Sequence, residues 1–314
     1  MPNPGSYLPS CNVCRTDDVL MKAVLQSDVD GNDYKALVCQ RCGLVFAFPL
    51  PSTAFADLQA IYGADYTEGQ RDISMSAAAL QALDEATHRQ MALVERYIRP
   101  GLALNVGAMN PSIRILRDRG WGLHVVEVSD YAARIARDQW GLHVSVSKIE
   151  DYDCAPETYD FIKLGHVIEH LSDPRSAIKK LAGMLKPNGI MLIDTDNARG
   201  IRMQIEVQTR QLLGERFSVA VVRRLTGKNL SKRYGRLTPP EHLYNFSQKS
   251  LTTLLQACDL EIVRVFKPGW GDATWFPLIG QQKASLAEQA FLHLDQLGAR
   301  LGMGDVIVTI ARRP

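Results

Sequence analysis

The stretch that most restricts the fold runs from Ala103 to Ser129. An apolar run, Leu102 to Val106, meets Gly107, a segment long enough for two or three helical turns follows, and a second apolar run ends on the acidic Glu127. Two strand-length apolar runs on either side of a helix-length segment mark a βαβ unit. In such a unit Gly107 lets the backbone turn tightly beneath a ligand, and the start of the next helix presents free N–H groups. Glu127, about twenty residues beyond the glycine at the tip of the second strand, is placed to accept hydrogen bonds from both hydroxyls of a ribose. The unit therefore suits a ligand with a ribose at one end and a second part lying over the glycine turn.

That spacing serves two cofactor classes, dinucleotides and S-adenosylmethionine, and the next seventy or so residues decide between them. A helix (Asp130 to Trp140), a strand (His143 to Val146) and an acidic loop (Glu150, Asp151, Asp153) lead into Tyr159-Asp-Phe-Ile-Lys-Leu-Gly-His-Val-Ile-Glu-His-Leu-Ser-Asp-Pro174. A helix from Ala177 to Leu185, the turn Lys186-Pro-Asn-Gly189 and a strand from Ile190 to Asp194 follow. This run resembles a class I S-adenosylmethionine-dependent methyltransferase. Asp160 is similar to the acidic start of that family's fourth strand, Gly165 to Leu171 to its following loop and helix, and Leu185 to Gly189 to the turn before its fifth.

The resemblance covers Leu102 to Asn197 and implies an α/β fold: a Rossmann-like seven-stranded sheet with helices on both faces. It also implies S-adenosylmethionine held by Asn105, Gly107, Ala108, Glu127, Val128, Ile149, Gly165 and His166. The first half departs from the family pattern. Met109 and Pro111 stand where small residues usually lie against the methionine portion, Asn105 where an acid is common, and Lys148 where an acid often meets the adenine amino group. Pro111 costs nothing as a first helical residue, because its missing N–H would be unpaired anyway. Two readings follow: an active enzyme with a variant loop, or a catalytically degenerate relative that serves as a scaffold or binds another nucleotide-like ligand, with Lys148 supplying positive charge.

With 314 residues and 46% hydrophobic content the chain can bury a sizeable core and divide into two or three domains. A net charge of +2 is too small to imply nucleic acid. No apolar segment follows a basic start and no run of about eighteen apolar residues occurs, so neither an export signal nor a transmembrane segment is expected and the address is cytoplasmic.

Residues 1–50 carry the strongest local signal. Cys11-Asn-Val-Cys14 and Cys39-Gln-Arg-Cys42 are two Cys-x-x-Cys knuckles separated by strand-like Val19 to Leu25 and Tyr34 to Val38. Four thiolates on two tight turns can surround one ion tetrahedrally, which points to structural zinc in a zinc-ribbon-like module, with a rubredoxin-like iron site or redox pairs as alternatives. All four positions are sulfur, so no position remains for substrate. Cys154 and Cys258 read as packed small side chains.

Residues 51–98 form an apolar connection and a covering helix. Ala54 to Tyr62 suits a short helix, with Tyr62 and Tyr66 after it, and Ser74 to Ile98 has a helical apolar face. A similar Cys-Gly-Leu-Val-Phe segment with paired tyrosines occurs in zinc-module methyltransferases of deoxysugars, which directs Tyr66 toward the active site. Residues 99–197 form the cofactor-binding core, 198–245 a basic helical cap insertion, and 246–314 the rest of the sheet. Between 197 and 236 ten lysines and arginines face two acids, a patch suited to a diphosphate, a carboxylated sugar or an acidic carrier protein.

Catalytic candidates lie beyond the strand ends, where open α/β sheets bind ligands. His166 borders the transferred group as base, cofactor contact or packing residue, and Glu169 reads as a helix-face residue. Pro239-Pro-Glu-His-Leu-Tyr-Asn-Phe-Ser247 is similar to a family segment whose Glu-His pair sits on the substrate side, which makes His242 the leading general base, Glu241 its orienting acid and Tyr244 a second candidate. Ser247 is an N-cap for the helix that follows. The module order resembles sugar methyltransferases, so a nucleotide-linked or polymer-linked sugar leads as substrate.

Overall fold

The computed structural model describes residues 8–27, 29–51, 55–64, 76–108, 110–214, 234–269, 272, 274–275 and 286–314. Tyr66, Met109, Phe276 and most of the basic run after 214 lie outside the described residues.

Three antiparallel strands come first: β1 (Val19–Gln26), β2 (Asp33–Cys39) and β3 (Val45–Phe48). Helices α1 (Phe55–Ile61) and α2 (Ala77–Val94) follow. Ser76 caps α2 by accepting from the Ala79 N–H, so the helix begins three residues later than its apolar periodicity suggested. Its buried face is also more polar than expected, because Thr87 and Gln90 turn inward beside Met91 and Val94.

The main sheet starts with β4 (Leu102–Val106), followed by a 3-10 turn (Pro111–Arg114), the short α3 (Ile115–Asp118) and β5 (Gly122–Glu127). Helix α4 (Asp130–Trp140) has the span read from the sequence, and the structure shows it capped by Ser129 and closed by Gly141 in the left-handed region. Then come β6 (Val144–Val146), β7 (Tyr159–Gly165), a 3-10 turn (Ile168–His170), α5 (Pro174–Met184) and β8 (Leu185–Asp196). Helix α5 starts at Pro174 rather than Ala177 because Asp173 caps it, accepting from the N–H groups of Arg175 and Ser176. After α6 (Ile201–Leu213), β9 (Tyr244–Asn245) and α7 (Gln248–Gln256), strand β10 (Glu261–Phe266), α8 (Leu286–Arg300) and β11 (Val306–Arg312) close the chain. Among the described residues no helix is long and apolar enough to cross a membrane.

The seven strands lie in the order β10-β11-β8-β7-β4-β5-β6, parallel except for β11 and β10. One face packs on α5, α7 and the N-terminal strands through Leu104, Ile162, Ile178, Leu181 and Leu254, and the other on α2, α3 and α4 through Met91, Leu116, Val125, Ala136 and Phe161. Strand order reverses between β4 and β7, which opens a crevice at their carboxyl ends.

Strand β9 pairs with β3 and completes a second sheet in the order β1-β2-β3-β9. The Tyr244 hydroxyl donates to the Ser172 carbonyl at 3.0 Å and accepts from Asn12 Nδ2 at 2.6 Å, while Ser247 Oγ donates to the Cys42 carbonyl at 3.1 Å. Both side chains are buried, and both tie the cysteine-bearing loops to the core.

Candidate active site

The glycine turn after β4 is built from the backbone inward. Gly107 has φ of +90°, a conformation that costs a residue with a Cβ, and its N–H donates to the Val126 carbonyl at 2.8 Å. A Cβ at this position would lie 3.2 Å from Val167, so the turn faces the loop after β7. The Asn105 amide donates to the Gly107 carbonyl and thus shapes the turn. Glu127 is buried at the tip of β5; its two carboxylate oxygens accept from the Ala108 N–H at 2.7 Å and the Ser129 N–H at 2.8 Å. Burial raises its pKa and these backbone donors oppose the rise. The Val128 carbonyl accepts from Gln59 of α1, whose side-chain oxygen accepts from the Asp130 N–H at 3.1 Å, and Ile149 is buried. Lys148 forms an ion pair with the exposed Asp151 at 3.1 Å, so its charge already has a partner.

Beyond β7 and β8 the chain gathers a polar cluster from three segments. His166 takes φ of +50°, a left-handed conformation uncommon outside glycine, directly after Gly165. Its Nδ1 lies 2.9 Å from Glu169 Oε1 and its Nε2 lies 3.7 Å from Asp194 Oδ1. Burial opposes its charge, but Glu169 outweighs it, aided by Asp194 and Asp196, and lifts the ring to about 9. That direction favours the protonated ring and so weighs against His166 in the part of a general base. Glu169 is fully buried, with Oε2 accepting from Thr195 Oγ1 at 2.8 Å, and is not the helix-face residue the sequence suggested. It lies in a three-residue 3-10 turn after β7 and meets β8 through Thr195.

His170 Nδ1 lies 3.0 Å from the Glu241 carbonyl, and the Tyr62 hydroxyl lies 3.2 Å from the same nitrogen. Burial first, and His242 second, lower the His170 pKa to about 4. The His242 ring stands edge-on to it with centroids 4.5 Å apart, and His242 Nδ1 lies 3.8 Å from Asp196 Oδ2. The carboxylate nearest the His242 ring nitrogen is thus that of Asp196, and Glu241 meets His170 through its main-chain carbonyl. Tyr244 is not a catalytic group: its hydroxyl is spent on Asn12 and Ser172 in a fully buried strand.

The four cysteines converge as their spacing required. Cys11 and Cys42 sulfurs lie 3.6 Å apart, Cys14 and Cys39 sulfurs 3.5 Å apart, and none is in a disulfide. Thiolates at the usual zinc–sulfur bond of about 2.3 Å in a tetrahedron stand about 3.8 Å apart, so the donor set fits one such ion.

With this geometry in view, the comparison with known proteins is decisive for the family. A model described as a methyltransferase domain matches residues 106–265, just over half of the chain. The chain belongs to this methyltransferase family. It is an S-adenosylmethionine-dependent methyltransferase, and the carboxyl ends of β4, β5 and β7 all lie within the matched residues. Two solved methyltransferases support the fold: one of Thermotoga maritima (TM-score 0.50, 17% identity, covering 82% of this chain and all of that one) and one of Archaeoglobus fulgidus (TM-score 0.50, 14% identity, 79% and all). The methyltransferase is also similar to two ubiquinone biosynthesis O-methyltransferases. That of Photobacterium profundum is 36% identical over 78 residues, 24% of this chain and 28% of that protein. That of Parvibaculum lavamentivorans is 40% identical over 57 residues, 18% and 22%. The matches thus span about a quarter of the length of these curated relatives.

Several site residues of the methyltransferase gave no local signal. Asp194, Thr195 and Asp196 end a strand that reads as apolar and are seen only when β8 lies beside β7. Lys163 is buried on β7, its Nζ donating to Gln90 Oε1 at 3.3 Å, with its pKa lowered by burial against the pull of Asp194. Three arginines in the described part of the basic run have acidic partners: Arg210 pairs with Glu206 of the run at 3.4 Å, while Arg202 pairs with Asp305 at 3.2 Å and Arg236 with Asp196 at 3.3 Å, both outside it.

Proposed function

We propose that this methyltransferase moves the sulfonium methyl of S-adenosylmethionine to a hydroxyl of a small molecule, most readily a nucleotide-linked or polymer-linked sugar. The observation that carries the reading is His242 facing Asp196 beside His170, at the strand ends where the methyl would emerge. A hydroxyl is a poor nucleophile until its proton is drawn away, and an imidazole backed by a carboxylate is a suitable group to meet it. The partial similarity to O-methyltransferases supports oxygen as the acceptor. Alignment of acceptor and sulfonium supplies the rest of the rate.

In this reading Glu127 uses its remaining lone pairs on the ribose, the glycine turn carries the methionine portion, and the four cysteines hold a structural zinc. Unpaired cysteines suit a reducing, cytoplasmic setting. The test has two arms. Titration calorimetry with S-adenosylhomocysteine should show saturable binding, and wild type with S-adenosylmethionine and a panel of nucleotide sugars should yield a product heavier by one methylene. His242→Ala should bind the cofactor product unchanged and lose about 10²–10⁴-fold in transfer. Binding without any hydroxyl methylation across the panel would overturn the acceptor assignment.

A further inference from the structure

We infer that Glu169, His170 and His242 hold a divalent cation that binds the acceptor hydroxyl beside the sulfonium methyl. The inference rests on the hydroxyl-methylation reading of this site and changes the part His242 plays in it. One ligand atom from each of the three side chains lies within 4.8 Å of the others. An ion with bonds of about 2.1 Å would draw them in by about an ångström or less each.

The surroundings are those of ligands already oriented. His170 directs Nδ1 at the Glu241 carbonyl at 3.0 Å, which fixes the tautomer that leaves Nε2 as a lone-pair donor. His242 has Nδ1 3.8 Å from Asp196 Oδ2, beyond direct hydrogen-bond reach, and its ring stands against that of His170. Glu169 is held at both oxygens, by His166 at 2.9 Å and Thr195 at 2.8 Å, so its carboxylate is locked in one pose. Metal-binding histidines characteristically give their second ring N–H to a carbonyl or carboxylate, and His170 is placed to do so.

Charge points the same way. Glu169, Asp194 and Asp196 are buried together, and Asp196 Oδ1 accepts no hydrogen bond although Arg236 Nε lies 3.3 Å away. Buried carboxylates are costly without cations, and a divalent ion at Glu169 would add to the positive charge that Arg236 already brings to Asp196. His170 and His242 are only half-buried, so coordination positions remain for water or substrate oxygen. Two imidazoles and one carboxylate favour a first-row ion such as manganese or iron over calcium or magnesium. The site is separate in kind from the four cysteines, whose tetrahedron would be closed.

With the cation in place His242 acts as a ligand. The metal-bound hydroxyl loses its proton to solvent, an oxygen lone pair forms the O–C bond, and the C–S bond breaks with its pair remaining on sulfur to give S-adenosylhomocysteine.

Manganese is the probe. The full chain, dialysed against EDTA and checked by elemental analysis for retained zinc, should bind one Mn²⁺ as read by loss of the free-ion paramagnetic resonance signal. Glu169→Gln and His242→Ala should each weaken that binding at least tenfold. Because Glu169 is buried, His242→Ala with unchanged circular dichroism and S-adenosylhomocysteine affinity is the decisive variant. Methyl transfer should vanish on chelation and return with Mn²⁺. A wild-type signal equal to that of the free ion, or equal binding by both variants, overturns the site. Full transfer by the chelated enzyme also overturns it and leaves hydroxyl methylation standing; Mn²⁺ bound with no hydroxyl methylated upholds the site and removes the acceptor reading.

Discussion

Replacing Glu127 by glutamine tests the cofactor end of the crevice, because one atom changes while shape is kept. In wild type the two carboxylate oxygens accept from Ala108 and Ser129, so a single side chain pins the glycine turn to the start of α4. Glutamine has one acceptor oxygen, and its NH₂ must face one of the two N–H donors. The variant loses one charge-assisted bond, worth about 1.5–3 kcal/mol, and strands a buried N–H, so a total near 2–4 kcal/mol is expected. Against a domain stability of about 5–15 kcal/mol that is a large share, and for a chain of this size it should lower Tm by roughly 3–6 °C. Ligand affinity should fall as well, by about tenfold to a hundredfold, because two lone-pair sites of a full carboxylate would no longer meet the ribose hydroxyls. Differential scanning calorimetry with and without S-adenosylhomocysteine measures both effects. A variant that melts within about 1 °C of wild type and binds the ligand equally would show that Glu127 neither braces the turn nor meets the sugar.

Other perturbations probe the remaining parts. Cys39→Ser should reduce bound zinc from about one per chain to near zero by elemental analysis; retention of a full equivalent would exclude the four-sulfur site. Tyr244→Phe removes the hydroxyl shared by Asn12 and Ser172 and should cost about 1–3 kcal/mol in urea unfolding while transfer per folded enzyme is kept, whereas loss of transfer at full stability would restore Tyr244 to the chemistry. Asp305 is raised to about 6 by burial first and Asp295 second, with Arg202 opposing. An acid raised above its unfolded value contributes stability while protonated and loses it as pH climbs through the folded value, so Asp305→Asn should gain on wild type by up to about 3 kcal/mol between about pH 4 and pH 7. Equal pH slopes of chemical denaturation in the two proteins would refute that.

What could be read from residues alone depended on how local the cause was. Helix α4 was legible end to end because its cap Ser129 and its terminator Gly141 are chain neighbours of the helix they delimit. The cysteines were legible because each pair makes its own tight turn. Tyr244 was misread because β9 is two residues long, too short to show any period, and its pairing with β3 lies about two hundred residues away in sequence. Gln90 was missed for a related reason: a polar residue on an apolar helix face is explained only by Lys163 on β7 and the carbonyls of Thr274 and Trp275.

The histidine cluster marks the point where this locality ends. Gly165 to His170 was singled out as a loop, but the charge on His166 is set by Glu169 three residues on and by Asp194 on the adjacent strand. The part open to His242 is set by Asp196 and by the ring of His170, neither of which it adjoins in sequence. A residue type in a loop can nominate a base, yet whether that imidazole carries a proton or keeps a lone pair depends on which carboxylates the sheet brings beneath it. Parallel pairing of β7 with β8 puts Gly165 opposite Asp194, and two residues further the strand delivers Asp196 to the mouth of the crevice. The sheet register therefore bears on the chemistry of histidines that lie outside the sheet, because it decides which carboxylates stand beside their rings.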